Sequence, residues 1–219
     1  KFDGKKINIF FMGNMIESKG YFNVIKVINL LKRNKKFNVT GIFAGKFYDL
    51  ASSTKKTRNN PKNKFFKYIY DNNLEDNVRY YDSVYGEKKE AIFKDNNFFI
   101  FPTNYIYEAQ PLCLIEAMSY GSVIITCKHS AIKSMITHQK NGFFVSYNKP
   151  DEIISIIEDL ANKPEMYESI SKRAIENYND SIDVALEFFH EGNAVAIGEV
   201  GRPHWKTSDD VLELSNKFG

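Results

Sequence analysis

The amino-acid sequence predicts an α/β fold with a doubly wound parallel sheet, like that of Rossmann domains. From Ile7 onward, short β-type runs of apolar residues alternate with segments of helical periodicity. The last two helical segments open with Pro150 and Pro164, and proline is favoured in the first turn of a helix. Strands that alternate with helices at this spacing are typical of parallel sheets with helices on both faces.

Each element follows from a local pattern. The first strand, "INIFFMG", is an apolar run that ends at Gly13, and the first helix, "YFNVIKVINLLKR", places Phe22, Ile25 and Leu31 on one face. Apolar runs predict further strands at residues 38–45, 77–84, 97–103, 122–126 and 142–147. Further helices are predicted at residues 62–73, 86–95 and 111–120, and from residues 150 and 164 onward.

The composition excludes several classes of protein. Of the 219 residues, 43% are hydrophobic and 26% are charged, which supplies a buried core and argues against disorder. The net charge of +3 does not favour nucleic-acid binding. Cys113 and Cys127 lie in apolar runs, so we expect reduced core residues of a cytosolic protein. No apolar stretch reaches the roughly 18 residues of a membrane span, no signal peptide is expected, and the start at Lys1 suggests missing upstream residues.

A change in charge along the chain predicts a boundary near Tyr178. Basic residues exceed acidic ones by 8 before Tyr178, whereas 3 basic residues face 8 acidic ones from Tyr178 onward. The single tryptophan, Trp205, also lies in this last part. We therefore predict one domain over residues 1–178 and a C-terminal segment, fused or chimeric, over residues 179–219.

Two loops are candidate ligand sites, because open parallel sheets bind ligands beyond the carboxyl ends of their strands. The first loop is "GNMIESKG", residues 13–20, and the second is "PTNYIYEAQ", residues 102–110. Each leads into a helix whose first N–H groups lack partners and attract anions such as phosphate. Pro111 removes one of these groups and leaves those of Leu112 and Cys113 as donors. Neither loop has a G-x-G-x-x-G or P-loop pattern, which argues against a dinucleotide or ATP-cleaving site.

Lys19 and two glutamates complete the candidate site. Lys19 stands just before the first helix, where its ammonium group can neutralise a diphosphate. Glu108 precedes the second helix and Glu116 is expected about 8 Å along it, at about 1.5 Å per residue, so the two need not form a close acid/base pair. Two separated carboxylates on either side of a phosphate site suit a ligand with hydroxyl groups at both ends, such as a nucleoside diphosphate sugar.

These segments resemble the C-terminal, donor-binding domain of the retaining GT-B glycosyltransferases of family 4. The resemblance covers about residues 5–178 and rests on "GNMIESKG" before a helix, on "FPTNYIYEAQPLCLIEAMSYGSVIIT" and on "KNGFFV". Its E-x7-E element, "EAQPLCLIE", is fairly specific because the proline, the "EAM" and the following "G-x-V-I" strand fall in register. The resemblance implies transfer of a sugar from a nucleoside diphosphate sugar to an acceptor hydroxyl with retention, in cell-surface polysaccharide synthesis.

The resemblance also implies a role for each candidate residue. Glu116 would hold the ribose hydroxyls, and Glu108 and Lys19 would be catalytic, contacting the donor sugar and the diphosphate. The donor-binding set is completed by Gly13, Asn14, Gln110, Pro111, Leu112 and Cys113. No metal or other cofactor is expected, because cations and helix termini stabilise the departing diphosphate. Asn14 departs from the family pattern, which has arginine at this position, and this weakens the cationic clamp.

The resemblance further implies a partner domain. Acceptor binding normally belongs to a separate N-terminal domain, so we expect this chain to bind nucleotide and to transfer sugar poorly by itself. A basic segment, "STKKTRNNPKNK", suggests contact with anionic lipid at the inner face of the membrane by an otherwise cytoplasmic protein. Its basic residues are Lys55, Lys56, Arg58, Lys62 and Lys64. Nucleic acid is not expected, since no aromatic platform is interleaved with these charges.

The tail supports a different hypothesis. Residues 193–216, "NAVAIGEVGRPHWKTSDDVLELSN", are similar to a short segment of TatD-related metal-dependent hydrolases, in which the glutamate of "GE", here Glu199, is a metal ligand. That family needs a (β/α)₈ barrel of about 250 residues, so Glu199 with His204 makes a weak metal site. Three alternatives therefore stay open: a non-catalytic nucleotide-sugar-binding module, a hydrolase seated on the tail, and a GT-B epimerase.

Overall fold

A computed structural model describes residues 2–48, 60–108, 111–129 and 131–190 and confirms the predicted α/β fold. The strands are β1 (Lys6–Met12), β2 (Asn38–Ala44), β3 (Val78–Tyr81), β4 (Phe98–Phe101), β5 (Val123–Cys127) and β6 (Phe143–Val145). The helices are α1 (Tyr21–Arg33), α2 (Pro61–Asp71), α3 (Gly86–Asp95), α4 (Leu112–Ser119), α5 (Ile132–Met135), α6 (Pro150–Asn162) and α7 (Pro164–His190). None of the helices in the described ranges combines the length and apolar character that a membrane crossing requires.

The six strands form one parallel sheet in the order β3-β2-β1-β4-β5-β6. The chain builds outward from β1 to β3 and then returns to the other side of β1 to place β4. The direction of winding therefore reverses between β1 and β4. In open α/β sheets this reversal creates the crevice in which ligands bind.

Aromatic packing holds β1 against β4. Every residue of β4 and β5 is buried, as expected for central strands with helices on both faces. The ring of Phe11 stacks on that of Phe101 at 5.5 Å between centroids, and Phe10 meets Phe99 edge to face at 5.6 Å. Such pairs add stability beyond the apolar area that they bury. The two strands that carry the candidate loops are thus fixed rigidly side by side.

The elements agree with the sequence-based prediction apart from their ends and one helix. α1 and α3 have the predicted bounds, whereas β3 stops at Tyr81 and residues 82–85 leave the sheet. α5 was not predicted, because a single turn is too short to show helical periodicity. α7 continues to His190, so the boundary predicted at residue 178 lies inside a helix, and the residues after 190 lie outside the described part of the chain.

The first half of α7 fixes α4 in place. α7 packs against α4 and β5. Ser171 donates a hydrogen bond from its Oγ to the carbonyl oxygen of Gly121 at 2.6 Å, directly after α4. The Tyr167 hydroxyl donates to the carbonyl oxygen of Asn97 at 3.0 Å, just before β4. α7 therefore braces the amino edge of the sheet and leaves the carboxyl edge, with the N-terminus of α4, open.

Candidate functional site

The loops after β1 and β4 are in direct contact at the carboxyl edge. The backbone N–H of Asn104 donates to the carbonyl oxygen of Ser18 at 2.7 Å. Gly20 has a φ of 86°, and a Cβ at this position would overlap the carbonyl oxygen of Pro102. Only glycine allows this approach together with a left-handed backbone. The contact brings the 3₁₀ turn Glu17–Lys19, which leads into α1, next to the loop that carries Glu108.

Lys19 and Glu108, predicted separately as catalytic residues, form an ion pair. The Lys19 Nζ lies 3.0 Å from Oε2 of Glu108 and 3.3 Å from Oε1. The pair is largely withdrawn from solvent, with 14% of the lysine side chain and 7% of the glutamate side chain exposed. The buried Thr103 hydroxyl donates to Oε2 of Glu108 at 3.3 Å. The geometry therefore joins one residue from each loop into a single charged group.

Aromatic rings surround this ion pair. The Lys19 Nζ lies 5.0 Å from the centroid of the Tyr105 ring and 5.8 Å from that of Phe101, both within the range of a cation–π interaction. The Tyr105 carbonyl oxygen is 2.8 Å from Nε2 of His129, which links the loop after β4 to the loop after β5. Tyr107 projects outward and is 77% exposed. Sequence analysis did not assign Tyr105 or Thr103 to the site, because neither belongs to a recognisable spacing.

The start of α4 presents the predicted anion donors. Pro111 is the extended N-cap residue of this helix and is buried, whereas Leu112 is partly exposed at its first position. The first N–H groups of a helix have no intrahelical acceptor, and the helix dipole favours negative charge there. The amides of Leu112 and Cys113 are thus available as donors. Gln110 lies outside the described residues.

The Cys113 thiol lies within electrostatic reach of both candidate glutamates. Burial raises the pKa of this thiol, and the negative charges of Glu108 and Glu116 raise it further. Lys19 acts in the opposite direction. Cys113 and Cys127 are both free cysteines in the structure. The start of α4 is therefore flanked by two carboxylates, with the thiol protonated at neutral pH.

Glu116 has a partner that the sequence did not indicate. Its Oε1 lies 2.6 Å from Nζ of Lys89, on the first half of α3. The glutamate side chain is 8% exposed and the lysine side chain 25%. No sequence pattern distinguishes Lys89 from its neighbour Lys88 as a partner for α4. The contact arises only because α3 and α4 flank β4 in the folded chain.

A cavity of about 310 Å³ opens at the carboxyl ends of β1, β2 and β3. Gly13 and Asn14 are among the residues that line it, and their donor-binding role stays a prediction. Gly45 has a φ of 149°, and a Cβ there would overlap the Gly13 carbonyl oxygen, so a side chain would force the two strand ends apart. The remaining lining residues are Met12, Ala44, Lys46, Asp82, Ser83, Val84 and Tyr85. The sequence pattern predicted a strand over residues 82–84, so the position of these residues in the cavity wall was not predicted.

A second cavity, of about 340 Å³, lies at the opposite edge of the sheet. Its lining includes Phe2, Asn96 and Tyr167, which lie at the amino ends of the strands or on the helices that brace them. Ligands of open parallel sheets bind beyond the carboxyl ends. The candidate site is therefore the cavity beside Gly13, together with the Lys19, Glu108 and Glu116 side chains, although the amino-edge cavity is slightly larger.

The remaining predicted residues lie elsewhere. Lys62 and Lys64 are on α2 and form ion pairs with Asp82 at 3.6 Å and with Glu17 at 2.9 Å. Lipid contact through this segment stays a prediction. The other basic residues of the segment and the two metal-ligand candidates of the tail lie outside the described residues: Lys55, Lys56, Arg58, Glu199 and His204.

Proteins similar to this chain include two curated sequences. The chain is 26% identical over 157 residues to a Klebsiella pneumoniae protein described as an uncharacterized 41.2 kDa protein in the cps region, and the match covers 70% of this chain and 37% of that protein. It is 34% identical over 68 residues to an uncharacterized glycosyltransferase of Haemophilus influenzae, with 31% and 19% covered. The matched parts are thus well under half the length of these relatives.

Solved structures share the fold. The C-terminal domain of a glycosyl transferase group 1 family protein from Francisella tularensis superposes with a TM-score of 0.65 at 15% identity and covers 80% of this chain and 85% of that one. Anabaena HepE in complex with UDP-glucose gives a TM-score of 0.64 at 15% identity, covering 83% and 49%. At these identities the similarity establishes a GT-B type of Rossmann-like domain. The family model for glycosyl transferases group 1 matches residues 1–177. The chain therefore belongs to the glycosyl transferases group 1 family.

Proposed function

We propose that this chain is the donor-binding half of a retaining glycosyltransferase that uses a nucleoside diphosphate sugar and needs no metal. One observation carries the proposal: Lys19 and Glu108 meet at the start of α4, while Glu116 lies further along the same helix, with the Cys113 thiol in reach of both carboxylates. An anion site flanked by two carboxylates matches a diphosphate with a sugar on either side. Membership of the family and the likeness to a protein bound to UDP-glucose support this assignment.

The parts of the donor fit separate parts of the site. The diphosphate lies at the first amides of α4, where unpaired N–H groups and the helix dipole stabilise its charge. Glu116 accepts hydrogen bonds from the ribose hydroxyls. The nucleobase occupies the cavity lined by Gly13, Asn14 and the loop of residues 82–85. The transferred sugar then lies beside Glu108.

The Lys19–Glu108 pair exchanges partners during this reaction. The lysine ammonium group lies within hydrogen-bonding distance of both oxygens of the glutamate. A diphosphate competes for the ammonium group, and the freed carboxylate of Glu108 accepts hydrogen bonds from the donor sugar. As the bond between the sugar and the diphosphate breaks, Lys19 and the α4 amides stabilise the charge on the leaving group. The acceptor hydroxyl enters on the face from which the diphosphate leaves and gives its proton to the departing diphosphate oxygen, so the step balances and the configuration is retained.

Synthesis of a cell-surface polysaccharide is the biological setting that we propose. This proposal is supported by the similarity of the chain to the Klebsiella protein, which is described as a protein in the cps region. A cytoplasmic location with access to a lipid-linked acceptor is consistent with that setting. The nucleotide and sugar of the donor then have to be identified by binding.

Calorimetric titration with UDP, GDP and ADP tests the donor site. We expect one nucleotide to bind selectively, and Glu116→Ala to weaken its binding by at least about 1 kcal/mol, because a hydrogen bond to a charged acceptor is lost. Glu158→Ala is a matched control, since Glu158 is a helical glutamate on α6, away from the candidate site, that accepts a hydrogen bond from the Asn34 amide at 2.8 Å. Absence of binding by all three nucleotides would contradict the proposal. Binding that chelation of metal with EDTA abolishes would contradict its metal-independence.

A non-catalytic nucleotide-sugar-binding module is a second candidate. The observation that favours it is Asn14, a neutral side chain in the cavity lining at the position where the family carries arginine. Asn14→Arg restores that cation. If the chain joined to an acceptor-binding half binds nucleotide, but transfers no sugar with or without Asn14→Arg, the module is the better description.

A further inference from the structure

Lys89 forms an ion pair with Glu116, and the family resemblance assigned no role to this lysine. The 2.6 Å distance from Nζ to Oε1 is that of a short, charge-assisted hydrogen bond. Only 8% of the Glu116 side chain is exposed to solvent. A carboxylate so placed is stable only when it is paired and hydrogen-bonded. Lys89 supplies that pairing.

The pairing also fixes the orientation of the carboxylate. Lys89 bonds Oε1, whereas Oε2 of Glu116 receives no hydrogen bond from any group in the described part of the chain. Glu116 lies on the second turn of α4, on the same helix whose first amides are the proposed diphosphate donors. An acceptor oxygen held in one orientation at this position is what a pair of ribose hydroxyls requires.

α3 links this carboxylate to the proposed nucleobase cavity. The helix begins at Gly86, directly after the cavity-lining residues 82–85, and the backbone N–H of Lys89 donates to the Tyr85 carbonyl oxygen at 3.4 Å. Lys89 is therefore one helical turn from the cavity wall. The neighbouring Lys88 points elsewhere, with its Nζ 3.7 Å from the centroid of the Tyr81 ring.

We propose that Lys89 is a positioning residue for ribose recognition: it orients the Glu116 carboxylate, with Oε2 directed to the ribose hydroxyls, and connects it to the loop that binds the base. This inference rests on the proposed nucleotide-binding function. It predicts that loss of Lys89 weakens contacts with the ribose hydroxyls specifically and leaves the contacts with the base and diphosphate unchanged.

Titration of the 219-residue chain with the selected nucleoside diphosphate and with its 2′,3′-dideoxy analogue tests this inference. Lys89→Met is expected to reduce affinity for the ribonucleotide by about tenfold or more, the range for a lost hydrogen bond to a charged group, and to leave affinity for the dideoxy analogue unchanged. Lys89→Arg keeps the charge and is expected to restore most of the lost affinity. Lys94→Met is the matched control, because Lys94 is on the same helix and pairs with the exposed Glu90 at 3.1 Å.

A double-mutant cycle that combines Lys89→Met with Glu116→Gln separates loss of the Lys89–Glu116 contact from a general structural effect of the lysine substitution. In this background the carboxylate charge is already absent, so Lys89→Met is expected to cause little further loss of ribonucleotide affinity. Equal losses for the two ligands, or no loss for either, would overturn the positioning role and leave the proposed function intact. If the parent chain binds no nucleotide, the proposed function fails and the inference falls with it. Retained binding of the dideoxy analogue also shows that each variant is folded.

Discussion

At the scale of single residues, the Lys19–Glu108 pair is the most consequential feature. Both side chains are largely withdrawn from water, and each compensates the charge of the other. Replacement of such a pair by apolar groups is often neutral for stability, whereas removal of one partner is strongly destabilising because the other charge stays buried. A contribution to folding therefore does not account for the pair by itself, whereas the proposed exchange of one anion for another by Lys19 gives it a role.

The Lys19–Glu108 pair predicts a characteristic pattern in the free energy of unfolding. Lys19→Met leaves the Glu108 carboxylate buried without a cation, and we expect a loss of about 3 kcal/mol. The double variant Lys19→Met, Glu108→Gln removes the charge as well and is expected to recover most of that loss. Urea denaturation followed by circular dichroism measures both. A single variant as stable as the parent would show that water or another cation reaches Glu108.

At the scale of elements, the loop after β1 is held by two glycine contacts. Gly45, after β2, touches the Gly13 carbonyl oxygen, and Gly20, before α1, touches the Pro102 carbonyl oxygen. These approaches place the ends of β1, β2 and β4 side by side without intervening side chains. The loop of Lys19 is thus positioned from both sides by backbone contacts, which preorganises it for an anion.

Substitution at Gly45 tests how strongly these contacts shape the site. Gly45→Ala forces Cβ into the Gly13 carbonyl oxygen, whereas Gly86→Ala, at a φ of 52°, meets nothing within 4 Å and serves as the matched control. Gly86→Ala is expected to destabilise the fold by about 1–2 kcal/mol through backbone strain alone. Gly45→Ala is expected to cost about 2 kcal/mol more and to weaken nucleotide binding. Thermal denaturation and calorimetry check the two effects. Equal stabilities would show that β2 can shift freely.

At the scale of the whole molecule, the open carboxyl edge is the surface at which a reaction can occur. The amino edge is braced by α7, whereas Tyr107 and the loops beside Lys19 face solvent at the carboxyl edge. The described residues include the groups proposed to bind a donor, and we have assigned none of them as a base for an acceptor hydroxyl. A separate acceptor-binding half is consistent with the coverage of HepE, of which this chain matches 49%.

If separate halves bind the donor and the acceptor, nucleotide binding and sugar transfer can be separated experimentally. The chain alone is expected to bind the selected nucleotide and to release little sugar from the corresponding nucleotide sugar. When an acceptor-binding half is added, either fused to the chain or as a separate protein, we expect sugar transfer to occur. Glu108→Ala is expected to abolish that transfer. Transfer to an acceptor is followed with radiolabelled donor. Turnover by the chain alone that depends on Glu108 would show that the acceptor binds within these residues.

Local patterns along the sequence determined the fold and most of the candidate site. Strand and helix periodicity determines which segments form strands and which form helices, and a parallel sheet is expected because most strands are separated from the next by a helix. Loops at carboxyl ends of strands adjacent to helix starts then predict Lys19, Glu108 and Glu116 as candidate residues of a site for an anionic ligand. The spacing of the two glutamates in "EAQPLCLIE" also indicates the glycosyltransferase family. All of these are properties of residues close together in the chain.

Only the tertiary structure decided how these groups are paired. Lys19 meets Glu108 because β1 and β4 are neighbours in the sheet, and Lys89 meets Glu116 because α3 and α4 flank β4. Residues 82–85 lie outside the sheet and line a cavity, although the strand predicted from the sequence extended to Val84. The physical reason is common to all three: ion pairs and cavity walls join residues far apart in sequence. Periodicity specifies which face of an element is buried, and only packing specifies what that face meets.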